Sequence, residues 1–138
     1  MPLTSRGVVI AVLAALVAAI VAAPVMGPGG AAVYAAFGWV CHQEPERSWE
    51  LTGRPLAVCV RCLGLYLGAL AGSVVGLRFW RGMALGMLGV VGVDWLVEAA
   101  GYTGSRPWWR FGIGLVVGAL VVPALYSEPR GQPVRRMG

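Results

Sequence analysis

The three cysteines and the single histidine of this chain all lie between positions 41 and 62. Thiolate and imidazole are the side chains that bind zinc and copper, and thiolate is also the group that exchanges disulfides. Apolar helices need neither group in order to pack against one another. We therefore expect a reactive or metal-binding site in this window. The candidate metal ligands are Cys41, His42, Cys59 and Cys62.

Two chemistries fit the pair Cys59 and Cys62, which is spaced as Cys-x-x-Cys at the start of a predicted helix. The positive end of the helix dipole and Arg61 would both stabilise thiolates there, and such thiolates either bind soft metals or exchange disulfides. We favour a transition-metal site for zinc or copper, with Cys41 as a third ligand. His42 is either the fourth ligand or a residue that orients one, because its adjacency to Cys41 makes a shared ion awkward to reach.

Two alternatives for the same cysteines stay open. In the first, the protein is a membrane thiol-disulfide oxidoreductase that uses the Cys59–Cys62 pair, with a quinone or a partner thiol as electron acceptor. In the second, a disulfide ties the long loop that contains Cys41 to the helix that contains the pair. The spacing does not choose among these, because common zinc folds use two spaced pairs of ligands.

Asp94 and Glu98 are four residues apart, so they share one face of a predicted membrane helix. Carboxylates in such a segment need a partner, which indicates either ion pairs with arginines or a functional role. Asp94 is the deeper of the two and joins Cys59 and Cys62 as a candidate catalytic residue. The arginines that would balance thiolate charge or bind an anionic group are Arg47, Arg61 and Arg110. This set permits a third function, an enzyme on a lipid-linked or phosphorylated substrate, with Asp94 or His42 as base.

The composition is that of a chain whose solvent is lipid. It is 58% hydrophobic and only 12% charged, far below the roughly one quarter usual in soluble proteins. The net charge of +5 comes from arginine alone, since the chain has no lysine. These arginines are scattered between apolar segments, which favours contact with anionic lipid headgroups over nucleic-acid binding. We expect the bilayer as a partner and no nucleic acid.

Four apolar segments approach the roughly 20 residues that a helix needs to cross a bilayer. They predict an all-α fold, a four-helix transmembrane bundle, with residues 1–138 forming a single integral membrane domain. A short interfacial or re-entrant helix is expected in the first loop, within Ala31–Val40, which is too short to span. Residues 127–138 are expected to form a flexible basic tail. The predicted spans are residues 8–26, 58–77, 83–101 and 111–126.

The first span also has features of a secretory signal, but Pro24 would follow its cleavage site, which favours an uncleaved helix. With four crossings, connectivity alone brings the candidate residues to one end of the bundle. Six arginines then fall on the side of the termini and five on the side of the site. The positive-inside rule favours cytoplasmic termini. We expect a multi-pass protein of the cell membrane with the Cys/His site on the outer face.

Glycines recur every four residues in the second span, at Gly64, Gly68, Gly72 and Gly76. Four-residue spacing places them nearly on one helix face, where a second backbone approaches closely. Cys59, Cys62 and Tyr66 then lie on the opposite face, so this helix packs with one side and presents chemistry with the other. Similar spacing in the third and fourth spans makes a homo-oligomer through glycine-striped helices a further expectation.

Two motifs carry a resemblance to a known family. They are CHQEPERS at positions 41–48 and CVRCLGLYLG at positions 59–68. The chain resembles the small prokaryotic membrane proteins known as domain of unknown function 2085, which pair Cys-His-Gln-x-Pro-x-Arg-Ser with Cys-x-Arg-Cys-x-Gly-x-Tyr-x-Gly. The resemblance covers about residues 40–118, with Asp94 and residues 110–114 matching later positions more loosely. It implies an integral membrane protein in which these residues matter together, and it implies no activity.

A second resemblance concerns layout rather than motif. Four spans with Cys-x-x-Cys at the start of the second are similar to the quinone-linked disulfide-generating membrane enzymes, which implies a quinone as electron acceptor. Those enzymes carry another cysteine pair in the loop between helices three and four. Residues 102–109 of this chain contain no cysteine, so a complete relay of that kind is not expected.

Overall fold

Helices account for most of the described fold, and one small hairpin lies in the first loop. The structure is a computed structural model that describes residues 3–76, 81–101 and 106–126. The elements are α1 (Leu3–Ala22), α2 (Gly30–Gly38), β1 (Glu50–Leu51), β2 (Arg54–Pro55), α3 (Val60–Val75), α4 (Arg81–Ala99) and α5 (Pro107–Tyr126). The four predicted spans coincide with α1, α3, α4 and α5. The predicted tail, residues 127–138, lies outside the described residues.

Within the described residues, two helices are long and apolar enough to cross a membrane, judged by length and composition: Arg6–Val25 and Pro107–Leu125. The apolar stretch of α3, Val60–Val75, falls short of the roughly 20 residues of a span. A mainly helical protein is thus confirmed. The finer prediction, a bundle in which four helices cross the membrane, stays a proposal.

α3 and α5 pack backbone against backbone, as the glycine spacing predicts. A Cβ at Gly68 would overlap the carbonyl oxygen of Leu115, and a Cβ at Gly114 would overlap that of Arg61. Only glycine permits this approach, because any side chain would push the helices apart. The same overlap would occur at Gly64, Gly72 and Gly118. The stripe of α3 is therefore filled within the chain, and α3 and α5 form the platform on which the site is built.

The far end of α3 is fastened to α1. Gly76 ends the helix with a φ of 73°, the left-handed conformation common just beyond a helix. The guanidinium of Arg6 donates from Nε to the carbonyl of Ser73 at 2.9 Å and from Nη2 to that of Val74 at 2.6 Å. These carbonyls belong to the last turn, where a helix leaves its acceptors without partners of its own.

The first loop contains the short helix expected there. α2 has nine residues, about 13 Å at 1.5 Å per residue, and therefore cannot span a bilayer. Gly30 begins it so close to the backbone of Ala23 that a Cβ would overlap the Ala23 carbonyl oxygen. α2 thus folds back against the end of α1. It delivers Phe37 and Cys41 into a buried apolar cluster with Ile20 and Leu63.

A hairpin that the sequence does not predict returns the chain to α3. β1 and β2 are antiparallel, with Leu51 opposite Arg54. The two residues between them, Thr52 and Gly53, have φ values of 55° and 76°. Positive φ at both central positions is typical of the two-residue turn that fits the twist of a hairpin. The sequence does not reveal this hairpin because its strands lie in a polar stretch. Of the two turn residues, only Gly53 is of a type that favours positive φ.

α4 differs from the other long helices in how little of its apolar surface is covered. Leu85, Val93 and Leu96 are each at least 60% exposed. A Cβ at Gly86 or Gly89 would meet no described atom within 4 Å, so the glycines of this helix do not pack within the described chain. α4 is attached mainly through its contacts with α5 and through the charged residues near its end.

Candidate metal centre

Three thiols converge beside the first turn of α3. The Sγ atoms of Cys41, Cys59 and Cys62 all lie within 4.8 Å of one another, and all three cysteines are free. Four thiolates around zinc, at a zinc–sulfur distance of about 2.3 Å, place sulfur atoms about 3.8 Å apart. Closing these thiols onto one ion would therefore need movements of no more than about 1 Å. Among the described residues, no histidine or carboxylate joins this group.

Local chain geometry explains how the thiols meet. Cys59 has extended backbone angles, φ −68° and ψ 161°, and is the N-cap residue immediately before α3. Cys62 follows three residues later, which places the two on neighbouring positions of the first turn. Cys41 comes from the other end of the loop, and its Sγ accepts a hydrogen bond from the backbone N–H of Cys59 at 3.2 Å. The loop closes on itself at this point.

The surroundings of Cys41 favour its thiolate. Cys41 is 6% exposed, yet hydrogen bonds from Cys59 and then from Cys62 hold the pKa of Cys41 well below its ordinary value. Backbone N–H groups of Cys59 and Gln43 act in the same direction, and burial opposes them. Thiolate is the form of cysteine that binds a metal ion. Of the three thiols, Cys41 is therefore the one whose hydrogen bonds favour the thiolate form.

Gln43 holds the loop closed, a role that sequence reasoning missed. Its side-chain amide donates to the carbonyl of Tyr34 at 2.7 Å and to that of Ala57 at 2.8 Å. It thereby joins the end of α2 to the segment that leads into α3. Its backbone has a φ of 50°, an uncommon conformation for a residue other than glycine. The hydroxyl of Tyr34 donates to the carbonyl of Pro55 and adds a second link. The only sequence signal for Gln43 is its place beside Cys41 and His42.

His42 lies outside the thiol group. Its side chain is exposed, whereas the neighbouring Cys41 is buried. The group of ligand atoms within 4.8 Å contains three thiols and no imidazole among the described residues. Its role as a metal ligand stays a prediction, and coordination by His42 would require its side chain to turn toward the cluster.

A second polar cluster lies on the other side of Arg61. The Nη2 atom of Arg61 donates to Asp94 at 2.7 Å and to Glu98 at 2.8 Å. Arg110 also pairs with Glu98, and its side chain is 8% exposed. The indole nitrogen of Trp109 donates to Asp94 at 3.0 Å, a contact that sequence reasoning missed because interfacial tryptophans are routine. α4 is thereby held to α3 and α5 by charge.

The three arginines predicted to bind an anionic group converge on Glu98. Arg61 and Arg110 contact it as described, and Arg47 lies 3.4 Å away while also pairing with Glu44 at 2.7 Å. Asp94 contacts Arg61 and Trp109 and is not part of the thiol group. The candidate residues thus come to one end of the fold but divide into two clusters. A cavity of about 60 Å³ lies between them, lined by Arg47, Cys59, Val60, Arg61, Glu98 and Arg110.

Comparison with known proteins places this region in a family. Residues 41–123 match the family described as predicted membrane protein, DUF2085. The chain belongs to this family. An uncharacterized protein of Methanothermobacter thermautotrophicus is 33% identical over 89 residues, which cover 59% of this chain and 80% of that protein. An uncharacterized protein of Methanocaldococcus jannaschii is 44% identical over 43 residues, 31% of this chain and 28% of that protein. The chain thus spans little more than a quarter of the latter relative. No solved structure matches.

The DUF2085 match confirms the resemblance that the motifs carry and identifies a predicted membrane protein. The matched region begins at Cys41 and includes every residue of both clusters. It leaves out α2, whose Tyr34 accepts the hydrogen bond from Gln43. It contains Cys59 and Cys62 together with Asp94, Glu98 and Arg110. Membership of DUF2085 brings no activity to the chain. The chemistry of the two clusters must be argued from their geometry.

Proposed function

We propose that this DUF2085 protein binds one soft transition-metal ion, zinc or copper, through the thiolates of Cys41, Cys59 and Cys62. The observation that supports it is the convergence of three free sulfur atoms within 4.8 Å. Soft thiolate ligands select zinc and copper(I) among the common metal ions. The backbone N–H of Cys59 donates to the Sγ of Cys41, which favours the thiolate form that binds a metal ion.

Three protein ligands leave room for a fourth. Structural zinc sites are closed by four protein ligands, whereas zinc sites that perform chemistry keep one position open. Among the described residues, the thiol group supplies three ligands. The open position would accept water, His42 or an incoming molecule. We therefore propose a centre that binds or activates a ligand, in preference to a purely structural one.

Metal analysis and X-ray absorption on the purified protein test this proposal together. We expect one metal ion per chain and a first shell of three sulfur atoms at about 2.3 Å, with one lighter atom at about 2.0 Å. His42→Ala resolves whether the lighter atom is imidazole, because only then does its removal change the scattering pattern. A metal-free protein with a reducible Cys59–Cys62 disulfide contradicts the proposal.

A metal-free protein with a reducible Cys59–Cys62 disulfide would instead support a membrane thiol oxidoreductase. One structural observation favours this second function. Cys41 lies within 4.8 Å of both members of the Cys59–Cys62 pair, so a third thiol is in place to exchange with a disulfide between them. Oxidation of the pair forms one disulfide and releases two electrons and two protons. A quinone that accepts both becomes the quinol. The midpoint potential of the pair and quinone reduction by the reduced protein measure this activity directly.

We also propose that α1, α3, α4 and α5 all cross the cell membrane, with the termini in the cytoplasm. Membership of a membrane protein family and two helices of sufficient length support the membrane setting. At about 24 Å, from 16 residues at 1.5 Å each, α3 is shorter than the hydrocarbon core. Its thiols would then lie near the depth of the headgroups. Thr52→Cys in the exposed hairpin should react with a membrane-impermeant maleimide on intact cells. Labelling only after lysis contradicts this orientation.

A further inference from the structure

A large cavity opens between α3, α4 and α5 on the side of Arg61 away from the thiols. Its volume is about 520 Å³. The metal centre does not use it, and no thiol lines it. The lining residues are Arg61, Val90, Val93, Asp94, Val97, Glu98, Arg106, Trp109, Arg110 and Ile113. Small-molecule sites in proteins are cavities of this size with apolar walls and a few placed polar groups.

The walls of this cavity change from apolar to charged along its length. On α4 the lining runs from Val90 to Glu98, about 12 Å at 1.5 Å per residue. On α5, which runs in the opposite direction, it goes from Ile113 back to Trp109, and Arg106 lines the cavity just before that helix. Val90, Val93 and Ile113 therefore line the end toward the middle of the helices, and Val97 lies between the two carboxylates. The arginines, carboxylates and Trp109 line the end where the helices terminate.

The charged end has one positive charge to spare. Three arginines and two carboxylates line the cavity. The oxygen atoms of Asp94 and Glu98 are occupied by Arg61, Arg110 and Trp109. Arg106 is exposed and has no ion pair with any described residue. The Nε atom of Arg61 also has no hydrogen-bond partner among them, but it is buried, so the cation that a ligand can reach is that of Arg106. Among the described residues, the charge at this end that lacks an ion pair is therefore positive.

We infer that this cavity binds an anionic amphiphile, with its phosphate or carboxylate headgroup at Arg106 and its apolar chain along Val90 and Val93. A guanidinium with unused donors recognises oxyanions well. A chain is required as well as a charge, because the inner walls offer only aliphatic contacts. Val90 and Val93 line the cavity and are 50% and 61% exposed, so an apolar chain can reach them from the surface of α4. This cavity shares no thiol with the metal centre, so an amphiphile would bind there whether or not a metal ion is present.

Native mass spectrometry of the protein in a neutral detergent tests the inference with three probes: decyl phosphate, decanol and inorganic phosphate. We expect one decyl phosphate per chain, bound at least about tenfold more tightly than either other probe, since charge and chain each contribute. Arg106→Gln should weaken decyl phosphate binding about five- to tenfold, the range for an exposed charge-assisted contact. Arg106 is exposed and has no ion pair with a described residue, so circular dichroism and the thermal midpoint should not change.

Arg54→Gln is the matched control, because Arg54 is exposed on β2, carries the same charge and does not line the cavity. It should alter decyl phosphate binding by less than about twofold. If decanol binds as tightly as decyl phosphate, the cavity is an apolar groove with no site for a charged headgroup. Equal binding of inorganic phosphate would show a site for the free anion with no place for a chain. Equal effects of the two arginine variants would show attraction to net charge alone. Each of these three results overturns the inference.

Discussion

Two polar clusters meet at the first turn of α3, and they are built in different ways. The thiol cluster takes its side chains from residues 41–62, one continuous stretch, and lies against apolar neighbours. The charged cluster joins Arg61 on α3 to carboxylates on α4 and to Arg110 on α5. Local chain closure makes the first, and the docking of a separate helix makes the second. We therefore expect that either cluster can be removed while the other survives.

The largest expected effect is the loss of metal on Cys59→Ser. The metal affinity should fall by more than about 100-fold, since residues that merely support a metal ligand already contribute 10- to 100-fold. A hydroxyl is a poor replacement for thiolate toward a soft ion. Competition with a chromogenic chelator measures the affinity. The charged cluster should persist, which the unchanged hydrogen-exchange protection of α4 would show.

Glu98→Gln changes the charged cluster and serves as the control for the metal-affinity measurement on Cys59→Ser. It should change the metal affinity by less than about threefold, because Glu98 makes no contact with the thiols and could act only through the small cavity beside Cys59. If Cys59→Ser and Glu98→Gln lower the metal affinity equally, the two clusters form one functional site. The distinction between them would then be wrong.

The same Glu98→Gln variant should loosen α4. Neutralising the carboxylate leaves Arg61 and Arg110 without their shared partner in a largely buried setting, with Glu98 14% exposed and Arg110 8% exposed. Breaking a fully buried ion pair costs about 3–5 kcal/mol, and the partial exposure of Arg61 brings the expected loss to about 2–3 kcal/mol. Chemical denaturation in detergent measures the loss, and hydrogen exchange should locate it in α4. Glu46→Gln is the matched control, since Glu46 is exposed and makes no ion pair with a described residue.

Gly68→Ala tests the platform that carries both clusters. A Cβ at this position would overlap the carbonyl oxygen of Leu115, so α3 and α5 must separate, at a cost of about 2 kcal/mol. Both the metal affinity and the protection of α4 should fall, because Arg61 and Cys62 sit on the displaced helix. Gly89→Ala is the control on α4, where an added Cβ meets no described atom. It should be neutral or stabilising by up to about 1 kcal/mol, since alanine favours a helix. Equal destabilisation by both alanines would mean that α4 packs against a partner through its glycines.

The sequence predicts the end of the fold at which the polar residues gather, but it does not predict how they divide. Connectivity brings a helix terminus to one membrane side, whereas the rotation of that helix decides which neighbour each side chain meets. Arg61 and Cys62 are adjacent, and one residue turns a helix by about 100°. They therefore face different partners, Asp94 for the arginine and Cys41 for the thiol. The glycine spacing fixes the rotation of α3 against α5, which explains why that interface is predictable.

The sequence predicts where the loop between α1 and α3 lies, but it does not predict how that loop closes. Its length and its thiols mark it as functional, and a short helix is expected within it. The closure depends on Gln43 in a left-handed conformation and on a tight turn at Thr52 and Gly53. Glutamine and threonine rarely adopt positive φ, so neither residue type signals what it does here. The thiols supply the chemistry, but these backbone features determine that they meet.

The smallest expected effect separates charge from hydrogen bonding in the second cluster. Trp109→Phe removes the indole donor to Asp94 while the ion pair of Asp94 with Arg61 remains. Because Trp109 is 61% exposed and water can replace its N–H, the cost should be about 1 kcal/mol or less. Trp95→Phe on α4, 59% exposed, provides a control that loses the same indole from a site where it makes no hydrogen bond to a described residue. A cost for Trp109→Phe as large as that of Glu98→Gln would show that a hydrogen-bonded network docks α4 as a unit. A cost of about 1 kcal/mol or less for Trp109→Phe would instead show that the ion pairs hold α4 in place. Neutralising Glu98 should then release α4 from α3 and α5 while the three thiols stay together.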